Sequence, residues 1–233
     1  MKNSLTCDSI TIFKEEEKII ENLGFSVMPS GFVQLTGGNG VGKTSLLRCI
    51  ARLDSSNEGS ISYNGCDVDE FIDEYKQIIL YISDKEQLLE YFTVYEALDF
   101  WSQIYKSEML LPAVCNTFGL DDYLETQIKF LSKGLKKRVV LSRLLLQRAR
   151  IWLLDEPFTN LDQSSVTLVE SIINSHLANG GILIIVDHSM NFEKSYTKYL
   201  ADMKNIEYKL KNSSQLEKQK TLLKIQDFKV NEI

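Results

Sequence analysis

The run GGNGVGKTS at Gly37–Ser45 constrains this chain more than any other stretch. It follows a short apolar strand candidate, FVQL within Gly31–Thr36, and precedes a segment in which Leu46, Leu47, Ile50 and Leu53 recur at helical spacing. Strand, glycine-rich loop and helix in that order allow successive backbone N–H groups to turn inward around an anion. Glycine has no Cβ to obstruct them, and the helix N-terminus adds positive potential at the same point. Gly37, Gly42, Lys43 and Thr44 stand at the spacing of a phosphate-binding loop, with Asn39 and Gly40 supplying further loop backbone. On this reading Lys43 reaches the β- and γ-phosphates of a nucleotide, the Thr44 hydroxyl holds Mg2+ and Ser45 donates to the α-phosphate.

Downstream, IWLLDEP at Ile151–Pro157 sets Asp155 and Glu156 at the end of an apolar strand, the end at which open parallel sheets bind ligands. Asp155 is expected to bind Mg2+, and Glu156 to polarise an attacking water. Taken alone, the pair also reads as a helix cap or as surface carboxylates.

Around these motifs the chain alternates strand and helix. Residues 59–82 read as β-rich, with a turn at Asn64-Gly65 and an apolar strand at Ile78–Ile82. About residues 83–129 change to aromatic-rich, helix-like sequence, the expected helical subdomain. Then follow a helix over Lys136–Ala149, a strand over Ile151–Asp155, a helix over Ser164–Ala178, a Gly180-Gly181 stop and a strand over Ile182–Asp187. Short apolar strands joined through helices predict a buried, mainly parallel sheet, an α/β fold with an additional antiparallel β part. The stretch 203–233 carries seven Lys against four acidic residues. It reads as a Lys-rich extension of a domain spanning 1–202, either a strand-plus-helix ending that caps the domain or a basic segment near anionic lipid headgroups.

In these residues the chain resembles the ATP-binding subunits of ABC transporters, over about residues 5–200. LSKGLKKRVVLSRLLL at Leu131–Leu146 is similar to the family's signature segment, TNLD at Thr159–Asp162 to its D-loop, and His188 in IIVDHS to its switch histidine. The resemblance implies a phosphate-loop ATPase fold, ATP and Mg2+ as cofactors, and catalysis by Glu156 with His188 at the γ-phosphate. It also implies a head-to-tail dimer on ATP binding. Ser132 and Gly134 then complete the opposite subunit's site, Asp162 lies at the interface, and closure acts on integral membrane permease subunits. Phe13 is the candidate to stack on adenine. Departures from the family pattern are Lys133 for Gly and Leu135 for Gln in the signature, and Lys85 where a Gln is expected, with Gln87 two residues on. The family docks its permease on the helical subdomain, which gives a use for Phe92, Tyr95, Phe100, Trp101 and Tyr105, although most of that aromatic set reads as ordinary subdomain core.

Within the family, NGVGKTSLLRCIARL, ALDFWSQIYKS, IWLLDEPFTNLD and ANGGILIIVDHS resemble the ATPase subunit of the haem exporter of bacterial cytochrome c maturation. That resemblance implies a peripheral protein on the cytoplasmic face of the inner membrane. An ATPase of another small exporter, for lipid, peptide or drug, shares every catalytic residue. A non-transport ABC ATPase fits less well, because long coiled-coil insertions and a second nucleotide domain are missing from the sequence.

Charge and composition narrow the alternatives. With 26 Lys and Arg against 32 Asp and Glu, a net charge of −6 repels phosphate backbones, so nucleic acid is not an expected partner. No apolar run reaches the roughly 18 residues that cross a bilayer, and the N-terminus does not read as a secretory signal. Cys7, Cys49, Cys66 and Cys115 lack metal or disulfide spacing, and His176 and His188 form no zinc motif.

Overall fold

The computed structural model describes residues 3–14, 16–54, 57–84, 90–187 and 220–224. Strands β1 (Leu5–Lys14), β2 (Glu17–Val27), β4 (Asn57–Tyr63) and β5 (Cys66–Asp67) form an antiparallel sheet in the order β2-β1-β4-β5. A second sheet holds β3 (Phe32–Thr36), β6 (Ile79–Ile82), β7 (Ile151–Asp155), β8 (Ile182–Val186) and β9 (Lys220–Lys224) in the order β6-β7-β8-β3-β9. Its described pairings are parallel. Helices are α1 (Lys43–Ile50), α2 (Ile72–Ile78), α3 (Val94–Tyr105), α4 (Leu111–Thr117), α5 (Lys133–Leu141), α6 (Arg143–Leu146) and α7 (Gln163–Ala178).

The parallel sheet is buried on both faces, and its residues alternate between two cores with the period of the pleat. Val33, Leu35, Ile151, Leu153, Ile182 and Ile184 pack with α1 and the antiparallel sheet. Phe32, Leu80, Trp152, Leu154, Leu183 and Ile185 pack with α3 to α7. On α7, Val169, Ile172, Ile173 and Leu177 recur three to four residues apart, which lays one stripe of that helix on the sheet.

The turn at Asn64-Gly65 is present, with φ of 60° and 83°, the left-handed pair that a tight hairpin requires. Three expectations need correction. The β-rich reading of residues 59–82 missed α2: Asp67 caps a 3-10 turn by accepting from Asp69 N at 3.0 Å, and buried Tyr75 on α2 donates to the Ile50 carbonyl at 2.9 Å. The strand accordingly begins at Ile79. The helix expected over Lys136–Ala149 starts earlier and is broken into α5 and α6. Ser132 caps its start, and the Ser142 hydroxyl turns back to the Val139 carbonyl at 2.6 Å, a local bond that competes with the helix ladder. Finally, Phe92, Tyr95 and Phe100 are exposed instead of filling a core, while Trp101 and Tyr105 are partly buried against one.

Between α2 and β7, a ribbon joins residues 92–95 to 124–128. Val94 N donates to Thr126 O and Ile128 N to Phe92 O, at 3.0 and 2.9 Å. Thr93 and Glu96 form a reciprocal capping box at the start of α3. Together they fix α3 beside the segment that leads into α5.

Candidate functional site

The carboxyl ends of β3 and β7 converge on one place. After β3 the chain enters the glycine loop, where Gly37, Gly40 and Gly42 take φ of 144°, 86° and 97°. These values belong to the left-handed region that glycine tolerates best. Gly42 occupies the N-cap position of α1 without a side-chain cap, so the first N–H groups of that helix face the loop. Lys43, 7% exposed, folds its ammonium back to donate to the carbonyls of Gly37 at 2.9 Å and Gly38 at 2.7 Å. An ammonium has three N–H groups, so this geometry leaves one for an anion in the loop. Asn39, Gly40 and Thr44 are exposed, and Ser45 is half-buried on the first turn of α1.

The Thr44 hydroxyl donates to Asp155 Oδ2 at 2.6 Å, joining α1 to the end of β7 across 111 residues of sequence. Asp155 is 3% exposed. Burial raises its carboxyl above the ordinary range; the Thr44 hydrogen bond opposes this, Glu156 and Asp84 push further upward, and Lys137 pulls down. Hydroxyl and carboxylate oxygens are the hard donors that Mg2+ takes, so the pair fits that ion.

Next in sequence, Glu156 has φ of 47°, an uncommon backbone for a residue other than Gly, Asn or Asp. Such strain costs on the order of 1 kcal/mol and persists where the surroundings hold it. Here Glu156 N donates to the Val186 carbonyl at 2.9 Å, and Thr159 Oγ1 donates to Glu156 Oε2 at 3.4 Å. Glu156 is half-buried.

Beyond it, Asp162 caps α7, accepting from Ser165 N at 2.7 Å and Ser164 Oγ at 2.9 Å. The bond from the Ser165 amide and those from the Ser165 and Ser164 side chains hold its pKa down to about 2. Ser132 caps α5, its hydroxyl accepting from Leu135 N at 3.2 Å. Gly134 approaches the Asn160 backbone so closely that a Cβ there would lie 2.9 Å from the Asn160 carbonyl. The segments expected as signature and D-loop are thus in contact within one chain. Leu135 packs against the helical core, which explains an apolar residue at that position, whereas Lys133 is exposed.

Phe13 is half-buried near the end of β1, with the Lys18 ammonium 6.0 Å from its ring centre. Its neighbour Ile12 pairs with Ile20, which abuts Gly42. His188, Lys85 and Gln87 lie outside the described residues. Two site features escaped the sequence reading. One is buried Lys137, for which the only signal was a cation one turn after the signature; the other is buried Gln34 on β3, whose amide donates to the Asp187 carbonyl at 3.5 Å.

Residues 20–159 match the family model described as ABC transporter. The chain belongs to the ABC transporter family. It carries that family's ATP-binding domain and is an ATPase, the ATP-binding subunit of an ABC transporter. Among curated relatives, the cytochrome c biogenesis ATP-binding export protein CcmA of Vibrio vulnificus (strain YJ016) is 33% identical over 194 residues, covering 82% of this chain and 95% of the relative. The protein of the same name from Rickettsia bellii is 36% identical over 180 residues, covering 77% and 90%. A solved ATP-binding subunit of an ABC transporter superposes with a TM-score of 0.75 at 25% identity, over 82% of each chain. A putative ABC transporter ATP-binding protein from Pyrococcus furiosus gives 0.72 at 20% identity over 97% of this chain and 100% of its own. The latter likeness concerns the fold. Among the described residues no helix is long and apolar enough to cross a membrane.

Proposed function

We propose that this ABC ATPase is the energy-supplying subunit of a haem exporter of the cytochrome c maturation type, working peripherally at the cytoplasmic face of the membrane. The observation that carries the ATPase mechanism is the Thr44–Asp155 hydrogen bond of 2.6 Å beside the strained Glu156. The assignment within the family rests on relatives named CcmA, whose length this chain nearly spans.

In the proposed mechanism, Lys43 and the N–H groups of Gly37, Asn39, Gly40 and Gly42 bind and neutralise the phosphates, with Ser45 on the α-phosphate. Thr44 and Asp155 hold Mg2+, which when bound supplies charge neutralisation. Glu156 orients a water and draws its proton as the in-line transfer begins. His188 contacts the γ-phosphate and Phe13 flanks the adenine. Ser132, Gly134 and Asp162 serve a head-to-tail dimer, in which each signature segment completes its partner's site. Positioning and electrostatic stabilisation carry the rate.

The helical segment 83–129 is the proposed seat of the membrane subunits. Apart from Leu53, the exposed large apolar side chains among the described residues lie between Tyr91 and Phe130. This concentration of exposed apolar side chains supports reading the segment as an interaction surface. The test is affinity capture of Glu156→Gln protein from native membranes with ATP, followed by mass spectrometry. Recovery of small membrane subunits of a haem exporter is the expected result. A different permease would replace the cargo assignment, and soluble partners alone would overturn the transport reading.

A further inference from the structure

The stretch 203–233 reads in the sequence as an extension beyond the domain, yet it supplies part of the parallel sheet. Strand β9 (Lys220–Lys224) stands at the end of the order β6-β7-β8-β3-β9, in parallel register with β3 from Phe32↔Lys220 to Thr36↔Lys224. A domain closed at residue 202 would leave β3 as that edge. Its sequence suits an interior strand instead: FVQLT carries no charge and no proline, and Phe32, Val33, Gln34 and Leu35 are all buried. Edge strands are commonly marked by lysine, which discourages pairing with other chains, and KTLLK begins and ends with one.

The two neighbours of β3 do not reach equally far. Its ladder with β8 ends at Leu35↔Val186, whereas the ladder with β9 continues one residue further, to Thr36. Thr36 is followed directly by Gly37, the first residue of the glycine loop. The carbonyls of Gly37 and Gly38 accept from the Lys43 ammonium at 2.9 and 2.7 Å. β9 therefore pairs with the backbone up to the residue before the first carbonyl that aims Lys43.

We propose that β9 is a positioning strand for the glycine loop: its pairing as far as Thr36 fixes the Gly37 and Gly38 carbonyls, and through them the Lys43 ammonium that receives nucleotide phosphates. This rests on the nucleotide-site reading above. Docking of β9 and binding of nucleotide then favour the same loop backbone, so each strengthens the other. The Lys-rich stretch is in this way part of the nucleotide-binding unit.

The test uses the full chain and a non-hydrolysable ATP analogue, AMP-PNP, with binding measured by calorimetry in Mg2+. Along an edge strand successive N–H groups point alternately to the neighbouring strand and outward, so proline removes a ladder bond at every second position only. Of Thr221→Pro and Leu222→Pro, one should weaken AMP-PNP binding about tenfold and the other less than about threefold. Thr221→Val and Leu222→Val keep the N–H and should bind like the wild type. A loss absent from both proline variants, equal in both, or matched by the valine variants would overturn the role. Should a proline variant fail to fold, hydrogen exchange of the wild type decides. AMP-PNP should slow exchange within residues 220–224 at least about threefold more than within α4, on the helical side of the sheet. No such difference would overturn the coupling. Wild-type protein that does not bind AMP-PNP would overturn the nucleotide-site reading itself, whereas binding that leaves exchange in β9 unchanged would overturn the role of β9 alone.

Discussion

On one face of the parallel sheet lie α1 and an antiparallel sheet; on the other lie α3 to α7, with the exposed aromatic side chains of the 91–130 region. The first face is packed around the glycine loop and holds the groups proposed to meet phosphates. The second holds the signature helix, the cap of α7 and a surface rich in Tyr95, Phe100 and Ile104. Asp155 and Glu156 emerge from β7 at the seam between them. The comparison teaches where the helical face comes close to the carboxylates: Gly134 of α5 meets the backbone of Asn160, four residues beyond Glu156.

The sharpest break in this comparison comes from the seam. Glu156→Gln should lower ATP hydrolysis by about a hundredfold or more while nucleotide affinity stays within about twofold, since the phosphate-binding face is untouched. A phosphate-release assay paired with calorimetry checks both halves. Next in size is a defect confined to the helical face. His176 on α7 stacks on Trp152 of β7 with ring centres 3.7 Å apart and planes within 4°. Room for this stack depends on Gly181, where a Cβ would lie 2.2 Å from the imidazole. Gly181→Ala should destabilise the fold by about 2–3 kcal/mol, read from denaturant titration.

A slightly smaller effect follows from the same ring. Burial lowers the His176 pKa from 6.5 to about 4, so the folded protein keeps it neutral while the unfolded chain takes up a proton. Its contribution is therefore complete above pH 6.5 and is lost as pH falls toward 4, about 2 kcal/mol of it by pH 5. Melting temperatures between pH 7 and 5 should fall in the wild type more steeply than in His176→Phe. Smallest for stability is the aromatic surface. Tyr95→Ser with Phe100→Ser should change folding free energy by no more than about 0.5 kcal/mol each yet reduce capture of membrane partners. A large loss of stability would place these rings in the core after all.

Much of this was legible because the signals are local. The phosphate loop announces itself through glycines beside Lys43 and Thr44, and β7 and β8 are uninterrupted apolar runs that end in carboxylates. The aromatic set was harder to read. Helical spacing puts Tyr95 and Phe100 on α3, but apolar character alone does not say whether a ring fills a core or faces outward. The break between α5 and α6 also escaped, because the apolar spacing runs through it; the Ser142 hydroxyl bond to the Val139 carbonyl lies at that point.

What the sequence determined by itself was the ABC ATPase fold and the candidate residues of the glycine loop and β7, because their proposed chemistry depends on spacing within a few residues. What only the tertiary structure decided was the meeting of Thr44 with Asp155, of Gly134 with Asn160, of His176 with Trp152 and Gly181, and the burial of Lys137. These depend on which sheet face an element covers and how closely two backbones approach. Each of those distances is set by the packing of the whole domain, which residue spacing alone does not encode.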